Sequence, residues 1–336
     1  MATDITPGGG YDYASLTALT KEQYVPKLVD NIKKKSILLS RLLGKSKPNA
    51  SGNAIHQPIE THDSASLGFY EKYGELSVVP QEFATEALYS WSQAYASVSI
   101  SGFEERVNDN PEKLIDLLGA KMRNAEKSLT KKFSDALYGV SGADGVGKFI
   151  SLPAIAHQSN ALGGIDPTAN SNEYSMWKGC FDVDTGTDYD TFANLKNGIP
   201  TIMRTGFASM SKDSGDKPSL IVCPQVVFDA MEEYLSDKKR TPTMASSEVA
   251  DGGFLGMKWR GVDVVVDQSC PEDSIFFINE DYLQMKHSRK ANFGFTGFKA
   301  PVNQDAKTGH ILWMGQLVCS NRSKAVGRFH GIGATS

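Results

Sequence analysis

The run YSWSQAYASVSISGFEERVN, Tyr89 to Asn108, leads after Asp109 and Asn110 into PEKLIDLLGAKMRNAEKSLTKKFSDALYG, Pro111 to Gly139. In the segment Ala87 to Ser101, Tyr89, Trp91 and Tyr95 fall on one face of a period-two pattern. Leu88, Ala94, Ala96, Val98 and Ile100 fall on the other. As one strand, this segment would reach ~50 Å at ~3.3 Å per residue, far beyond an average strand. In the second run, Asn110 can cap a helix, Pro111 fits its first position and Glu112 complements its dipole. Leu114, Leu118, Met122, Ala125, Leu129, Phe133 and Leu137 then recur at three- and four-residue steps until Gly139. The spacing predicts a helix over 111–138, a rod of ~42 Å at ~1.5 Å per residue.

Upstream, Ile55–Glu60 and Leu76–Val79 can pair with the long strand, separated by a polar stretch, His62 to Gly74, rich in Gly, Ser, Tyr and charge. The simplest object is a long hairpin or loop reaching out of the body. An isolated two-stranded ribbon is marginally stable in water, so one that long needs a partner surface, unless it is an edge hairpin folded back on its own domain. The candidate inter-subunit contacts are Asp63, Glu71, Lys72 and Glu75 at the tip and Tyr89, Trp91 and Tyr95 behind it. Residues 1–20 are Gly-, Thr- and Tyr-rich without periodicity and read as a weakly ordered arm. From Lys21 to Lys47, eight Lys or Arg face only Glu22 and Asp30, and Leu28, Ile32, Ile37 (or Leu38) and Leu42 are roughly helix-spaced. This is either a solvated surface helix or an arm that touches DNA, a scaffold or a neighbour, with Lys33, Lys34, Lys35 and Arg41 as the contacting residues.

Downstream, the Gly-rich segment from Gly139 to Pro167 reads as loop with a short strand around Phe149 to Ile155. Asp190, Phe192, Leu195, Ile199 and Met203 predict a helix that Gly198 and Pro200 weaken or split. Ser219–Cys223 is a buried strand followed by a helix carrying Val227, Met231, Tyr234 and Leu235. Val262–Asp267, Ser274–Asn279, Tyr282–Lys286, Ile311–Ser320 and Ala325–Phe329 read as strands, with a basic turn at Asn321–Lys324.

The 336 residues exceed one domain's usual length, so two packed units are expected. A hydrophobic share of 40% with 22% charged residues excludes disorder, collagen and coiled coil as whole-chain readings. Thirty-five basic against 39 acidic side chains give a formal charge of −4, which argues against a dedicated nucleic-acid binder. Cys180, Cys223, Cys270 and Cys319 are far apart with no CxxC pair, a pattern that suits a reducing cytoplasm while leaving one long-range disulfide open. The start, MATDITPGGG, has no signal-peptide pattern, and no apolar run approaches the ~20 residues of a membrane helix.

Three constellations invite chemistry. Gly142 to Lys148 satisfies GxxxxGK, but a helix precedes it, Phe149 stands where a magnesium-binding hydroxyl belongs, and Pro153 discourages a long helix afterwards. It reads as a flexible glycine turn. Asp182, Asp184, Asp188 and Asp190 surround Gly186, yet the EF-hand oxygen, Gly and Glu positions hold Gly186, Thr187 and Ala193, so a loop ending in a helix cap at Asp190 is the reading. His56, Glu60, His62 and Asp63 are interrupted by Pro58 and read as a polar strand face. There is no GxSxG, HExxH or paired Cys/His signature, and no catalytic, cofactor or metal residue is assigned.

In order, a basic arm, a long extended loop, a long central helix, a strand-helix domain and a terminal sheet resemble the major capsid proteins of tailed bacteriophages, with the Hong Kong 97-like fold. Tyr89–Asn108 leading into Pro111–Gly139 looks like the extended loop returning into the spine helix. PSLIVCPQVVFDAMEEYL (218–235) and then GFLGMKWRGVDVVVDQSCPEDSIFFINEDYL (253–283) look like the axial domain passing back into the peripheral domain. The resemblance covers about residues 50 to 330 and implies an α+β architecture: arm 1–50, extended β loop 51–102, first peripheral part 103–175 with spine helix 111–138, axial domain 176–265, and second peripheral part 266–336 with the C-terminal sheet. It further implies a non-enzymatic shell subunit forming hexamers and pentamers around double-stranded DNA, in the virion capsid, made and assembled in the host bacterial cytoplasm. Portal, separate scaffolding and decoration proteins are the implied partners, with no membrane and no cofactor. An encapsulin-type nanocompartment shares the fold but would lack the long arm, and a hydrolase or nucleotide-binding enzyme is the remaining alternative.

Overall fold

The computed structural model describes residues 36–49, 52–60, 66, 68–76, 84–107, 111–139, 148–169, 175–186, 188–212, 215–238 and 257–333. Helix α1 (Ile37–Gly44) leads through β1 (Lys47–Asn49) into the pair β2 (Ala54–Glu60) and β3 (Ala84–Ser90), then β4 (Ser92–Ser101). Helices α2 (Gly102–Val107), α3 (Pro111–Leu137) and α4 (Leu152–Ala156) follow, then β5 (Phe181–Asp184), α5 (Phe192–Ser211), β6 (Leu220–Cys223) and α6 (Gln225–Lys238). Strands β7 (Met257–Trp259), β8 (Val262–Val266), β9 (Ile275–Ile278), β10 (Leu283–Ser288), β11 (Gly294–Phe295) and β12 (Ala306–Cys319) lead to α7 (Arg322–Ala325) and β13 (Val326–His330).

The apolar stripe of α3 does what its spacing demands. Met122, Ala125, Leu129, Phe133 and Leu137 are buried, and Phe133 meets Trp313 nearly edge-on at 4.7 Å. Gly139, at φ +75°, ends the helix, a conformation a side chain would strain. Against α3 lies a sheet centred on β12, which pairs with β10 and β11 on one side and β4 on the other, while β1 adds in parallel to β10.

A second sheet runs in the order β5-β13-β9-β6-β8-β7. Its strands alternate between two cores. Leu220, Val222, Phe276 and Ile278 join the α3 core, whereas Ile221, Cys223, Ile275 and Phe277 join a second core with the buried stripe of α5, Leu195 to Met210. Both faces being covered explains why these strands read as unbroken apolar runs. The expected boundary between 265 and 266 falls inside β8 and would separate β9 and β13 from the other strands of this sheet.

Several expectations change. Helix α5 runs unbroken through Pro200, because its stripe is held against the sheet; Gly198 is needed there because a Cβ would collide with the Tyr189 ring. Its cap is Thr191, whose hydroxyl accepts from Asn194 N, and not Asp190. Residues 152–156 form a helix instead of a strand, since Ser151 caps it and Pro153 sits in its first turn. The four cysteines are free thiols, three of them buried; burial pushes Cys223 and Cys319 up to about 12.

A further change concerns the arm. Lys33, Lys34 and Lys35 lie outside the described residues, but residues 36–49 are part of the body. Leu38, Leu39 and Leu42 are buried, and Ser36 Oγ donates to Asp267 at 2.6 Å. Tyr138 OH donates to the same carboxylate at 3.0 Å, so Asp267 ties the arm's end to the end of α3. Arg41 pairs with Glu280 at 3.3 Å and Asp263 at 3.6 Å and is committed within the chain. A chain beginning at residue 48 loses three leucines worth ~1.5–3 kcal/mol each relative to one beginning at residue 36. Calorimetry should show the longer chain melting well above the shorter; equal melting temperatures would contradict this packing.

One buried cation locks the C-terminal end of the chain. Arg322, fully buried, donates to the carbonyls of Ala154, Ile155, His157, Asn160 and Trp177. The first three belong to the end of α4, where a short helix leaves its last carbonyls without internal partners. Burial lowers the guanidinium to about 10, leaving it protonated at neutral pH.

Candidate assembly surface

The segment read as one long strand is two strands with a break at Trp91. β3 pairs with β2 in a two-stranded ribbon, and β4 pairs with β12 in the central sheet. At the break the buried phase shifts by one residue: Ala87 and Tyr89 are buried before it, Ser92, Val98 and Ile100 after it. A buried amide stabilises the break. Gln316 Nε2 donates to Ser90 O at 3.0 Å and Lys148 O at 2.8 Å, while its Oε1 accepts from Ile150 N at 2.9 Å. Trp91 turns its indole N–H to Gly52 O at 2.9 Å.

Tyr89, Trp91 and Tyr95 therefore do not form one face. Tyr89 is 1% exposed and donates to Cys319 O at 3.1 Å, so it belongs to this chain's own core and leaves the contact set. Its phenol pKa is pushed up by burial first and by the Cys319 thiol second. Trp91 is half-buried, and Tyr95 is 72% exposed on the outer side of β4. Leu88, expected to share a face with Val98, is exposed instead.

Among the described residues the ribbon's buried contacts with the body concentrate at its base, with Ile59 farther out also packed against the core. Ile55, Ala87 and Tyr89 are buried, Leu88 N donates to Gly163 O at 2.8 Å, and Lys286 Nζ donates to Gln57 at 3.0 Å. Gly163, at φ +63°, must lack a side chain because a Cβ would lie 2.7 Å from that of Ala87. Farther out, β2 and β3 alternate between half-buried and exposed, and His56 pairs with Glu86 at 3.0 Å. His62 and Asp63 lie outside the described residues, as do 77–79 of the expected second strand. Among the described residues no group of three metal-ligating side chains occurs.

At the tip, Glu71, Lys72 and Glu75 are exposed, with Gly74 N closing a turn onto Glu71 O at 2.8 Å. The sequence reading missed the aromatic part. Phe69, Tyr70, Tyr73 and Leu76 all face solvent, Phe69 completely. Three rings and a leucine in eight residues, outside any helical or strand period, were the available signal. Such a cluster is costly to leave wet.

The other constellations are structural. Asp182 accepts a bidentate pair from Arg328 at 2.7 and 3.1 Å, and Asp184 accepts from Gly186 N at 3.0 Å. Lys148 is exposed at the end of the GxxxxGK run, whose residues 142–147 lie outside the described residues.

No family model matches the sequence, and no curated protein matches it. Solved structures do. The capsid protein of cyanophage A-1(L) superposes with a TM-score of 0.62 over 89% of this chain and 93% of that one, at 15% identity. The capsid protein of Myoviridae phage XM1 gives 0.53 over 86% and 95%, at 12% identity. The SrpI encapsulin of Synechococcus elongatus PCC 7942 gives 0.54 over 89% and 88%, at 11% identity. The chain thus has the Hong Kong 97-like fold of tailed-bacteriophage major capsid proteins.

Proposed function

We propose that the chain is a major capsid protein, a non-enzymatic subunit that closes as hexamers and pentamers into the icosahedral head of a tailed bacteriophage around double-stranded DNA. The observation that carries this reading is a capsid backbone path along nearly the whole chain, combined with an aromatic tip left exposed beyond a two-stranded ribbon. The subunit takes its place in the virion after assembly in the host bacterial cytoplasm. Its partners are copies of itself, a portal protein, a separate scaffolding protein and possible decoration proteins. No helix among the described residues is long and apolar enough to cross a membrane.

The encapsulin match makes a cargo-loaded nanocompartment the second reading. Particles purified from infected or producing cells, treated with nuclease and then extracted, distinguish the two. Protected double-stranded DNA is expected; particles holding an enzyme and no nucleic acid would replace the phage reading with the nanocompartment.

A further inference from the structure

Between residues 121 and 135, α3 carries five cations, Lys121, Arg123, Lys127, Lys131 and Lys132, against two carboxylates, Glu126 and Asp135. Glu126 is buried and Asp135 half-buried, so the solvent side of the helix is basic between residues 121 and 135. Lys121 is held by Glu104 at 2.7 Å. Among the described residues, no carboxylate comes within ion-pair distance of Arg123, Lys127 or Lys131. In a chain of net charge −4 this is a segregated charge, and exposed α6 shows the opposite sign through Asp229, Glu232 and Glu233.

The geometry points to this ridge as the surface that meets the phosphate backbone of packaged DNA, an inference that rests on the capsid reading and fixes which broad face of the subunit looks inward. Arg123, Lys127 and Lys131 stand four residues apart on one rigid helix, so the three span ~12 Å at ~1.5 Å rise per residue. A DNA strand presents a phosphate about every 3.4 Å of axis, so the row can track several of them. Beside the ridge runs a groove between α3 and β4 in which Ser97, Ser99, Asn124 and Ser128 alternate with apolar groups such as Tyr95 and Leu129; its polar groups can hydrogen-bond to phosphate without reading sequence. A protein partner seated on the row itself would need an apolar, desolvated centre there, and Arg123, Lys127 and Lys131 offer only long charged stems. Three separated contacts on an otherwise acid-leaning subunit give weak, sequence-independent attachment, which suits DNA that must later leave the head.

The test uses the unassembled full-length chain, a labelled 30-base-pair duplex of arbitrary sequence and fluorescence anisotropy across a salt series. The triple variant Arg123→Gln, Lys127→Gln, Lys131→Gln is compared with Lys178→Gln, Lys217→Gln, Lys299→Gln, which changes net charge equally at dispersed exposed sites. The ridge variant is expected to bind at least about tenfold more weakly at low salt, with the log–log salt slope reduced by about 2.7, three phosphates' worth. The dispersed variant should stay near the parent. Equal losses in both would reduce the effect to net charge and overturn the proposal. Unchanged duplex binding with lost binding to polyglutamate would assign the ridge to an acidic protein and also overturn it. Binding is read before assembly, so a chain that never forms shells would count against the capsid reading and not against the ridge.

Discussion

Arg322→Ala is expected to unfold much of the protein's stability reserve, with a loss of ~4 kcal/mol or more. Five carbonyls lose their donor at once, and each buried polar group left unpaired costs ~1–3 kcal/mol even where water partly replaces the guanidinium. A typical domain has only ~5–15 kcal/mol in reserve. Arg322→Lys should recover less than half of the loss, since an ammonium has three donors and no planar fork to span α4, Asn160 and Trp177. Urea unfolding reads the effect as a lower midpoint at unchanged slope. A shift below ~1 kcal/mol for the alanine variant would mean that the buried cluster is not the lock described.

Replacing residues 62–78 with a short Gly-Ser turn should abolish shell formation while leaving the subunit folded. The buried base of the ribbon, Ile55, Ala87 and Tyr89, is retained, and what is removed includes Phe69, Tyr70, Tyr73 and Leu76, which contact little within the chain. Burying each such side chain against a neighbour is worth roughly 1.5–3 kcal/mol, repeated at every subunit of a closed lattice. Glu71, Lys72 and Glu75 would set register and partner choice more than affinity. The variant should melt cooperatively and sediment as monomers or small capsomers. The narrower variant Phe69→Ser, Tyr70→Ser, Tyr73→Ser should behave alike if the rings carry the contact. Shells as stable as the parent's from either variant would place the ribbon against its own subunit.

Elements with strong local signals were legible from the sequence. The start at Pro111 and the stripe to Leu137 delimit α3, and the apolar runs at Leu220–Cys223 and Ile275–Ile278 mark strands covered on both faces. What failed depended on distant partners. The strand break at Trp91 is stabilised by Gln316, more than 200 residues away, and local alternation continued smoothly across it. Arg322 sits in what reads from sequence as a basic turn, because nothing local shows that five carbonyls converge on it. Arg41 groups by sequence with the arm's Lys33, Lys34 and Lys35, whereas Glu280 and Asp263 hold it in the body. The contact candidates fared by the same rule. Tip residues such as Glu71 and Lys72 are exposed as expected, while Tyr89 is claimed by tertiary packing that alternation alone does not report.

The central claim is that this chain builds a shell. Sedimentation velocity with negative-stain imaging of the purified full-length protein, across a concentration series and with the tip-replaced variant beside it, tests that claim most directly. The parent should convert with rising concentration from small capsomers into closed, thin-walled, hollow particles, and the variant should stop at capsomers. A parent that remains a folded monomer at every concentration, with a cooperative melt and no curved sheets or shells, would contradict it.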